Sequence, residues 1–161
     1  MTFLSGAVDC CGAGLVHDPS KPSDHKTMYQ LISSSVVNAP PPSYVLKLLQ
    51  QSSPNKPLYV PTNGHRSNHQ QSDTKEDMME IFVQEPDGRA REGKKLMGRR
   101  NYVAVVAYDP EVVSGTFGRT DMAGAAGGRL SLACDFMVQA EGGMGVSKYG
   151  PVIVPSLEFG R

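Results

Sequence analysis

The sequence has no net charge, because its 16 lysine and arginine residues are balanced by 16 aspartate and glutamate residues. A neutral chain has no global field that draws it to nucleic acid or to an anionic membrane, so such binding has to come from a local patch. Apolar residues make up only 39% of the chain, which is low for a protein that packs along its whole length. The 17 glycines and 12 prolines therefore indicate that much of the backbone is turn, loop or extended arm.

Cysteine is also scarce, with Cys10, Cys11 and Cys134 as the three residues of this type. An odd number with two neighbours in sequence does not form a disulfide framework, which favours a reducing compartment. We interpret Cys10 and Cys11 as two small buried thiols. The alternatives are lipid attachment and a zinc site shared with His17 and His25, although the spacing matches no known zinc motif.

Long apolar segments are missing too. No run approaches the roughly 20 apolar residues that span a bilayer. Residues 1–15 lack the basic start and the apolar core of a signal peptide. The expectation is an intracellular protein that is soluble or peripheral to a membrane.

No catalytic constellation or strong metal signature stands in the sequence. His65 and His69 are four residues apart, but Gly64 and the polar residues around them are typical of a linker. No histidine lies in the second half of the chain, and Cys134 falls in the middle of a predicted strand, a poor place for a nucleophile. We therefore predict a protein that is not an enzyme and uses no cofactor and no metal.

A shift in composition near residue 76 divides the chain. Residues 1–76 contain all four histidines and eight of the twelve prolines, and they predict an extended Pro/Ser/Gln-rich arm. Two short helices are predicted in it, over roughly 26–37 and over 44–51, followed by a linker at 52–76. The arm has too few apolar side chains to hold a shape alone, so we expect it to pack on neighbouring subunits of a homo-oligomer or larger assembly.

Residues 77–161 read as strands. The strongest is 102–108, which is rich in β-branched and aromatic residues, and 130–138 alternates apolar and polar side chains as a half-buried strand does. Further strands are predicted at 79–84, 112–117 and 152–154, with glycine-rich connections at 123–128 and 142–145. The fold class is therefore mainly β with a few short helices, the arm being followed by a compact antiparallel sheet, sandwich or small barrel.

The sharpest local motif is a PPxY sequence formed by Pro41, Pro42, Ser43 and Tyr44. Such a segment is already extended, so it loses little entropy when it docks into the aromatic groove of a WW domain. Pro41, Pro42 and Tyr44 are the predicted docking residues. The alternative is a proline turn that starts a helix.

A basic segment at 89–100 has six cationic residues against one acid, Glu92. A loop of this kind can bind the phosphates of RNA or of anionic lipids, with affinity that falls as salt rises. The alternative is a solvated hairpin loop that keeps the sheet soluble. The predicted contact residues are Arg89, Arg91, Lys94, Lys95, Arg99 and Arg100.

A PPxY motif in an N-terminal arm, followed by a β-rich domain with a basic loop, resembles the matrix proteins of negative-strand RNA viruses, especially the rhabdovirus type. The resemblance implies that Pro41, Pro42 and Tyr44 recruit host ubiquitin ligases, that residues 89–100 contact membrane or nucleocapsid, and that the protein lies in a virion. Residues 1–20 depart from the pattern, because they contain no lysine or arginine.

Three functions are compatible with these features. The first is a viral or other assembly protein that self-associates and recruits partners through its arm. The second is a capsid or large-complex subunit whose arm threads between neighbours, with the PPxY segment acting as a turn. The third is a small β-rich enzyme or ligand-binding domain with a cleft among its glycine loops.

Overall fold

The computed structural model of the chain describes residues 1–7, 10–18, 27–37, 39–52, 75–108 and 130–156, without the side chains of 50–52 and 75. The predicted strand at 112–117, the glycine-rich connection at 123–128 and most of the linker at 52–76 lie outside the described residues.

Eight strands and one helix make up the described part of the chain. The first four strands are β1 (Thr2–Ala7), β2 (Cys11–His17), β3 (Met28–Ser34) and β4 (Lys75–Met78). The other four are β5 (Leu96–Met97), β6 (Asn101–Tyr108), β7 (Ser131–Gln139) and β8 (Val146–Val154), and the helix α1 (Ser43–Ser52) lies between β3 and β4. The prediction of a mainly β chain is confirmed.

The first sheet is built around β2. Strand β3 pairs with β2 antiparallel on one side, while β4 and β5 pair with different parts of β2 on the other side. Strand β1 completes the order by pairing with β3 in parallel. Strand β2 is therefore hydrogen-bonded along both edges.

Small residues allow β2 to lie between β3 on one side and β4 and β5 on the other. A Cβ atom at Gly12 would lie 2.9 Å from both Leu96 Cδ2 and Met78 Cε, and 3.0 Å from the Lys95 carbonyl oxygen. A Cβ atom there would displace the ends of the Leu96 and Met78 side chains and crowd the Lys95 carbonyl oxygen, so these groups lie over residue 12 because it has no side chain.

The second sheet is an antiparallel meander in the order β6-β7-β8. The strand predicted at 102–108 is confirmed as β6. The alternation predicted at 130–138 is confirmed for Cys134, Phe136 and Val138 of β7, which are fully buried, but Leu130 at the start of that range is 59% exposed. The predicted strand at 152–154 is the end of the longer β8. The strand predicted at 79–84 is wrong, because the chain forms β4 at 75–78 and leaves 79–84 irregular apart from a bridge between Gln84 and Ala90.

The hydrophobic core joins the two sheets. Phe82 lies at its centre, with its ring 5.9 Å from that of Phe136 and 5.2 Å from that of Tyr149, both in edge-to-face geometry. Cys11, Ala13 and Leu31 of the first sheet and Val138, Val152 and Val154 of the second belong to the same buried cluster.

The predicted helix over 26–37 is wrong, because these residues form β3. Tyr29 and Leu31 alternate toward the core while β3 pairs with β1 and β2, and this pairing outweighs the weak helical spacing of Met28, Leu31 and Ile32. The second predicted helix, at 44–51, is confirmed as α1.

Three described segments of the predicted arm form β1, β2 and β3 of the first sheet. The predicted boundary between the two domains, at residue 76, falls inside strand β4. The division into two domains stays a prediction. The reason for expecting neighbouring subunits falls away, since Cys11, Ala13 and Leu31 bury themselves against their own chain. Self-association itself stays a prediction, which the molecular mass in solution tests.

None of the helices among the described residues is both long enough and apolar enough to cross a membrane.

Replacing Leu31 by alanine tests the place of β3 in the core. Leu31 is 2% exposed, so Leu31→Ala is expected to lower the free energy of unfolding by about 2–5 kcal/mol. Leu4 is the matched control, because it pairs with Leu31 across β1 and β3 but is 70% exposed. Urea denaturation of the purified chain measures both variants, and equally small losses would show that β3 does not belong to the core.

Candidate functional site

A β-hairpin between β4 and β5 carries a polar cluster of the core. Pro86, Asp87 and Gly88 form its turn, a sequence that favours turns because proline fixes one φ and glycine accepts a positive one. Gly88 has φ of 86° and its amide donates to the Glu85 carbonyl at 2.9 Å. The Glu85 amide donates to the Arg89 carbonyl at 2.8 Å, which closes the hairpin.

The Glu85 carboxylate collects donors from three separate parts of the chain. Arg99 donates from Nη1 to Oε2 at 3.0 Å and from Nη2 to Oε1 at 2.9 Å, a bidentate arrangement. Arg91 donates to Oε1 as well. The Tyr149 hydroxyl donates to Oε2 at 3.2 Å. We refer to Glu85, Arg91, Arg99 and Tyr149 as the Glu85 cluster.

Burial and the two guanidinium groups act in opposite directions on Glu85, whose side chain is only 8% exposed. Burial raises the pKa of the carboxyl group, but the hydrogen bonds and charges of Arg99 and Arg91 outweigh it, so the pKa lies below its ordinary value. The pKa of Tyr149 is raised by burial and by the charge of Glu85. The carboxylate is therefore held ionised and the phenol protonated.

The Glu85 cluster has one excess positive charge, because one carboxylate faces two guanidinium groups. The Arg91 Nε atom is buried and has no hydrogen-bond partner. Both guanidinium groups are turned toward Glu85, with side chains 16% and 21% exposed for Arg91 and Arg99. The arrangement ties the hairpin to β8 and leaves little guanidinium surface for a ligand.

A groove of about 620 Å³ lies between the hairpin and β8. Glu85, Ser147 and Tyr149 provide buried polar side chains, and Ile81, Val83 and Val146 line it with apolar ones. Lys148 also lines the groove, 3.4 Å from Asp135.

The structure divides the predicted basic segment. Arg91 and Arg99 belong to the Glu85 cluster, and Arg89 pairs with Asp87 at 2.6 Å and with Glu141 at 2.7 Å. Lys94 Nζ lies 3.9 Å from Glu80, Lys95 is half-buried and Arg100 is exposed. Phosphate binding by this segment stays a prediction, and Lys94 and Lys95 are the residues in it whose charge is least neutralised by a close carboxylate.

The PPxY residues lie where α1 begins. The Pro42 carbonyl accepts a hydrogen bond from the Val45 amide at 3.0 Å, while Ser43 and Tyr44 are already helical. Pro41 is half-buried, with Cγ 3.1 Å from where a Cβ atom of Gly98 would be. Tyr44 is 70% exposed. Docking through Pro41, Pro42 and Tyr44 stays a prediction.

The thiols of Cys11 and Cys134 are not set up as nucleophiles, whereas Cys10, predicted to be buried, is half-buried. Cys11 and Cys134 are fully buried, and none of the three cysteines forms a disulfide. Burial, and then the neighbouring Cys10, raise the pKa of Cys11 to about 12. Burial, followed by the charge of Asp135, raises the pKa of Cys134. Both are therefore inert thiols at neutral pH.

Within the described ranges, no three or more histidine, cysteine, aspartate or glutamate side chains are grouped so that they could hold a metal ion.

Sequence reasoning missed the Glu85 cluster. Glu85 is one acid among many in the sequence, and its partners Arg91, Arg99 and Tyr149 lie 6, 14 and 64 residues away. The turn sequence at 86–88 could have revealed the hairpin, but no local pattern predicts that Tyr149 reaches it.

A family model described as "PhoD related phosphatase" matches residues 1–161, the whole length of the chain. No curated protein and no solved structure matches it. The match overturns the resemblance to viral matrix proteins, which is wrong. The expectations of a structural assembly protein, of a place in a virion and of a chain that is not an enzyme are wrong for the same reason.

Replacing Glu85 by glutamine is expected to destabilise the protein by about 3–5 kcal/mol near neutral pH, because two largely buried guanidinium groups lose their counterion. The native pKa of Glu85 lies below the ordinary 4.5. Its contribution is therefore present above that value and is lost as the pH falls through the lowered native pKa. Urea denaturation between pH 7 and pH 3 should show the gap between wild type and Glu85→Gln closing in acid.

Glu92→Gln is the control, since the Glu92 side chain is 88% exposed and pairs with Lys47 on the surface. It is expected to change stability by less than about 1 kcal/mol. A Glu85 variant as stable as the Glu92 variant, or a gap that stays constant with pH, would contradict the described electrostatics.

Proposed function

This chain belongs to the PhoD-related phosphatase family, and on that premise we propose that it hydrolyses phosphate esters. The observation that carries the proposal is the family match over residues 1–161. An enzyme was the third of the functions compatible with the sequence, and the match favours it over an assembly role.

Hydrolysis of a phosphate ester transfers a phosphoryl group to water. The substrate is an anion, so positive charge near its path raises the local substrate concentration. The reaction also needs a group that accepts a proton from water and one that protonates the leaving oxygen. Because Cys11 and Cys134 are buried as thiols, we propose direct attack by water rather than phosphoryl transfer to either of these cysteines.

We assign the basic segment a long-range role in this reaction. Lys94 Nζ lies 3.9 Å from Glu80 and no ion pair involves Lys95 among the described residues, whereas Arg89, Arg91 and Arg99 have closer carboxylates. The electric field of Lys94 and Lys95 is screened by salt over a distance of about 30 Å at 0.01 M salt but only about 8 Å at physiological salt. The predicted contacts of the segment with RNA or with an anionic membrane rest on the same two lysines.

We propose a reducing, intracellular location for the protein. Support comes from the three cysteines, none of which forms a disulfide, two of them being packed as thiols in the core. Trapping free thiols under denaturing conditions tests it, and a disulfide in the protein isolated from cells would contradict it.

We further propose that Pro41, Pro42 and Tyr44 recruit a WW-domain protein to the phosphatase. The exposed Tyr44 ring favours this, because the tyrosine fills a pocket of its own in that recognition mode. The helical start at Ser43 opposes it, since the segment has to unwind before it can dock in an extended form.

Phosphatase activity is tested on the purified 161-residue chain with p-nitrophenyl phosphate and bis(p-nitrophenyl) phosphate. Release of p-nitrophenol well above that of heat-denatured protein is expected, at on the order of 1–10 turnovers per second. p-Nitrophenyl acetate controls for unspecific ester cleavage. The double variant Lys94→Gln with Lys95→Gln is expected to raise KM at 10 mM salt and to match wild type at 150 mM. Absence of release from both phosphate esters would contradict the proposed function.

Docking is tested by capture of the chain on an immobilised WW domain. We expect the WW domain to capture the wild type but not the Tyr44→Ala variant, because alanine leaves the tyrosine pocket of the WW domain empty. Tyr102→Ala serves as the matched control, since Tyr102 is also exposed, at 50%, but lies outside the motif. Equal capture of wild type and Tyr44→Ala would remove the docking proposal.

A further inference from the structure

Strand β6 (Asn101–Tyr108) lies at an edge of the second sheet. The sheet has the order β6-β7-β8, so β6 pairs with β7 on one side and with no described strand on the other. The Gln139 amide donates to the Arg100 carbonyl at 2.8 Å, which fixes the direction of the backbone groups that follow. By the alternation of an antiparallel ladder, the even-numbered residues of β6 therefore exchange hydrogen bonds with β7.

The odd-numbered residues of β6 direct their amides and carbonyls away from the sheet. Within the described part of the chain, no hydrogen bond uses the backbone groups of Val103, Val105 or Ala107. Asn101, at the start of the strand, is 3% exposed, and its side-chain oxygen accepts from the Ser34 amide at 3.0 Å. The outward groups that remain to be paired belong to residues 103–107, which we refer to as the β6 edge.

The β6 edge has none of the features that commonly protect a sheet edge from pairing, which are charged residues, proline and bulges. Three of the four residues of β4 are charged, and β8 contains Lys148 and Pro151. Strand β1 is uncharged, but Gly6 weakens it as a pairing strand. Strand β6 has no charge, no proline and no glycine, and its β-branched and aromatic residues favour pairing.

A second copy of the same strand fits the β6 edge. With a two-fold axis beside Val105, Val103 pairs with the partner's Ala107 and Val105 pairs with the partner's Val105. Each such pair exchanges two hydrogen bonds, so every outward amide and carbonyl of the β6 edge is used. A register centred on Ala104 would instead need Asn101, which is buried against Ser34.

The side chains also suit this register. Val103 packs against the core, so the odd-numbered side chains share the inner face, and Tyr102 and Val106 are exposed on the outer face. Across the axis, Tyr102 lies opposite the partner's Tyr108, and Ala104 lies opposite the partner's Val106. Aromatic and aliphatic side chains therefore meet their own kind, and no charge enters the contact to be repelled or left unpaired.

We propose that the chain forms a two-fold symmetric dimer through the β6 edge. Two antiparallel β6 strands then join the three-stranded sheets of both copies into one continuous sheet. Pairing through one strand buries less than the roughly 1,200 Å² at which standard interfaces begin, so the dimer is weak, with a Kd on the order of 10 μM. This association is independent of the proposed function.

A strand from elsewhere in the same chain is the competing occupant of the β6 edge. It predicts a monomer in which the amides of Val103, Val105 and Ala107 resist hydrogen exchange at every protein concentration. A dimer predicts that their protection rises with concentration, because the monomer exposes them.

Sedimentation velocity of the 161-residue chain from about 1 to 500 μM tests the dimer and its register. Residue 105 faces its own copy, so Val105→Lys places two like charges opposite each other and is expected to raise the Kd by about 100-fold or more. Val105→Glu is expected to do the same. An equimolar mixture of the two variants should recover the dimer, because opposite charges then meet across the axis.

Ile153→Lys is the matched control. Ile153 is 44% exposed, against 41% for Val105, and it lies in β8 of the same sheet, away from the β6 edge. This variant should dimerise as the wild type does.

Hydrogen exchange of the wild type, followed by NMR below and above the measured Kd, needs no variant. The amides of Val103, Val105 and Ala107 should be slower at the higher concentration, whereas those of the even-numbered residues of β6 should not change. Thermal unfolding checks that each variant is folded, and hydrogen exchange decides the question if the Val105 variants do not fold.

Three results would overturn the proposal. A wild type that stays monomeric over the whole range would do so, and protected amides at 103, 105 and 107 would then show that the chain covers this edge itself. A folded Val105→Lys variant that dimerises as well as wild type, or as poorly as Ile153→Lys, would place the contact elsewhere. A mixture of the Val105 variants that stays monomeric would contradict the two-fold register at Val105.

Discussion

Strand β2 is hydrogen-bonded along both edges, and the rest of the structure depends on that constraint. Strand β3 lies on one side of β2, and β4 and β5 lie on the other. Each side chain of β2 therefore points to one of the two faces of the sheet. The inner face begins with Cys11 and Ala13 in the core and ends with His17, which hydrogen-bonds to Asp77 of β4. A shift of β2 by one residue would exchange the two faces and remove His17 from Asp77.

The second organising interaction is the Glu85 cluster, which joins the hairpin, the segment before β6 and the strand β8 at one carboxylate. Pairs of this kind contribute less to net stability than their bonds suggest, because the charges have to be taken out of water. Asn101 complements the cluster where β3 meets β6. Its side-chain oxygen accepts from the Ser34 amide at 3.0 Å and its amide donates to the Arg99 carbonyl at 2.8 Å. The Glu85 cluster and Asn101 fix which elements meet, while Phe82 and its aromatic neighbours fill the space between the sheets.

The sequence predicts the second half of the fold better than the first half. Strands β6 and β7 have the β-branched runs and the alternation from which strands are recognised. In the first half, α1 is recognised from its apolar spacing directly after a proline run. Strand β2 consists largely of small residues, and the parallel pairing of β1 with β3 spans more than twenty residues, so no local pattern reveals either. Low apolar content predicts an arm in this half, but glycine and alanine residues of β2 are buried in the sheet.

Contacts between distant residues were hidden for the same reason. His17 and Asp77 are 60 residues apart, and only the register of β2 and β4 brings them together. A four-residue proline motif, in contrast, is conspicuous in a sequence but carried a resemblance that the match over the whole chain overturns. In this protein the groups that meet in space are distant in sequence, and local motifs alone point to the wrong class of function.

Amide hydrogen exchange of the 161-residue chain, followed residue by residue by NMR, tests the account most directly. Hydrogen bonding of β2 along both edges predicts that the amides of residues 12–16 exchange slowly, as those of an inner strand do. Fast exchange of these amides, as in an exposed arm, would contradict it.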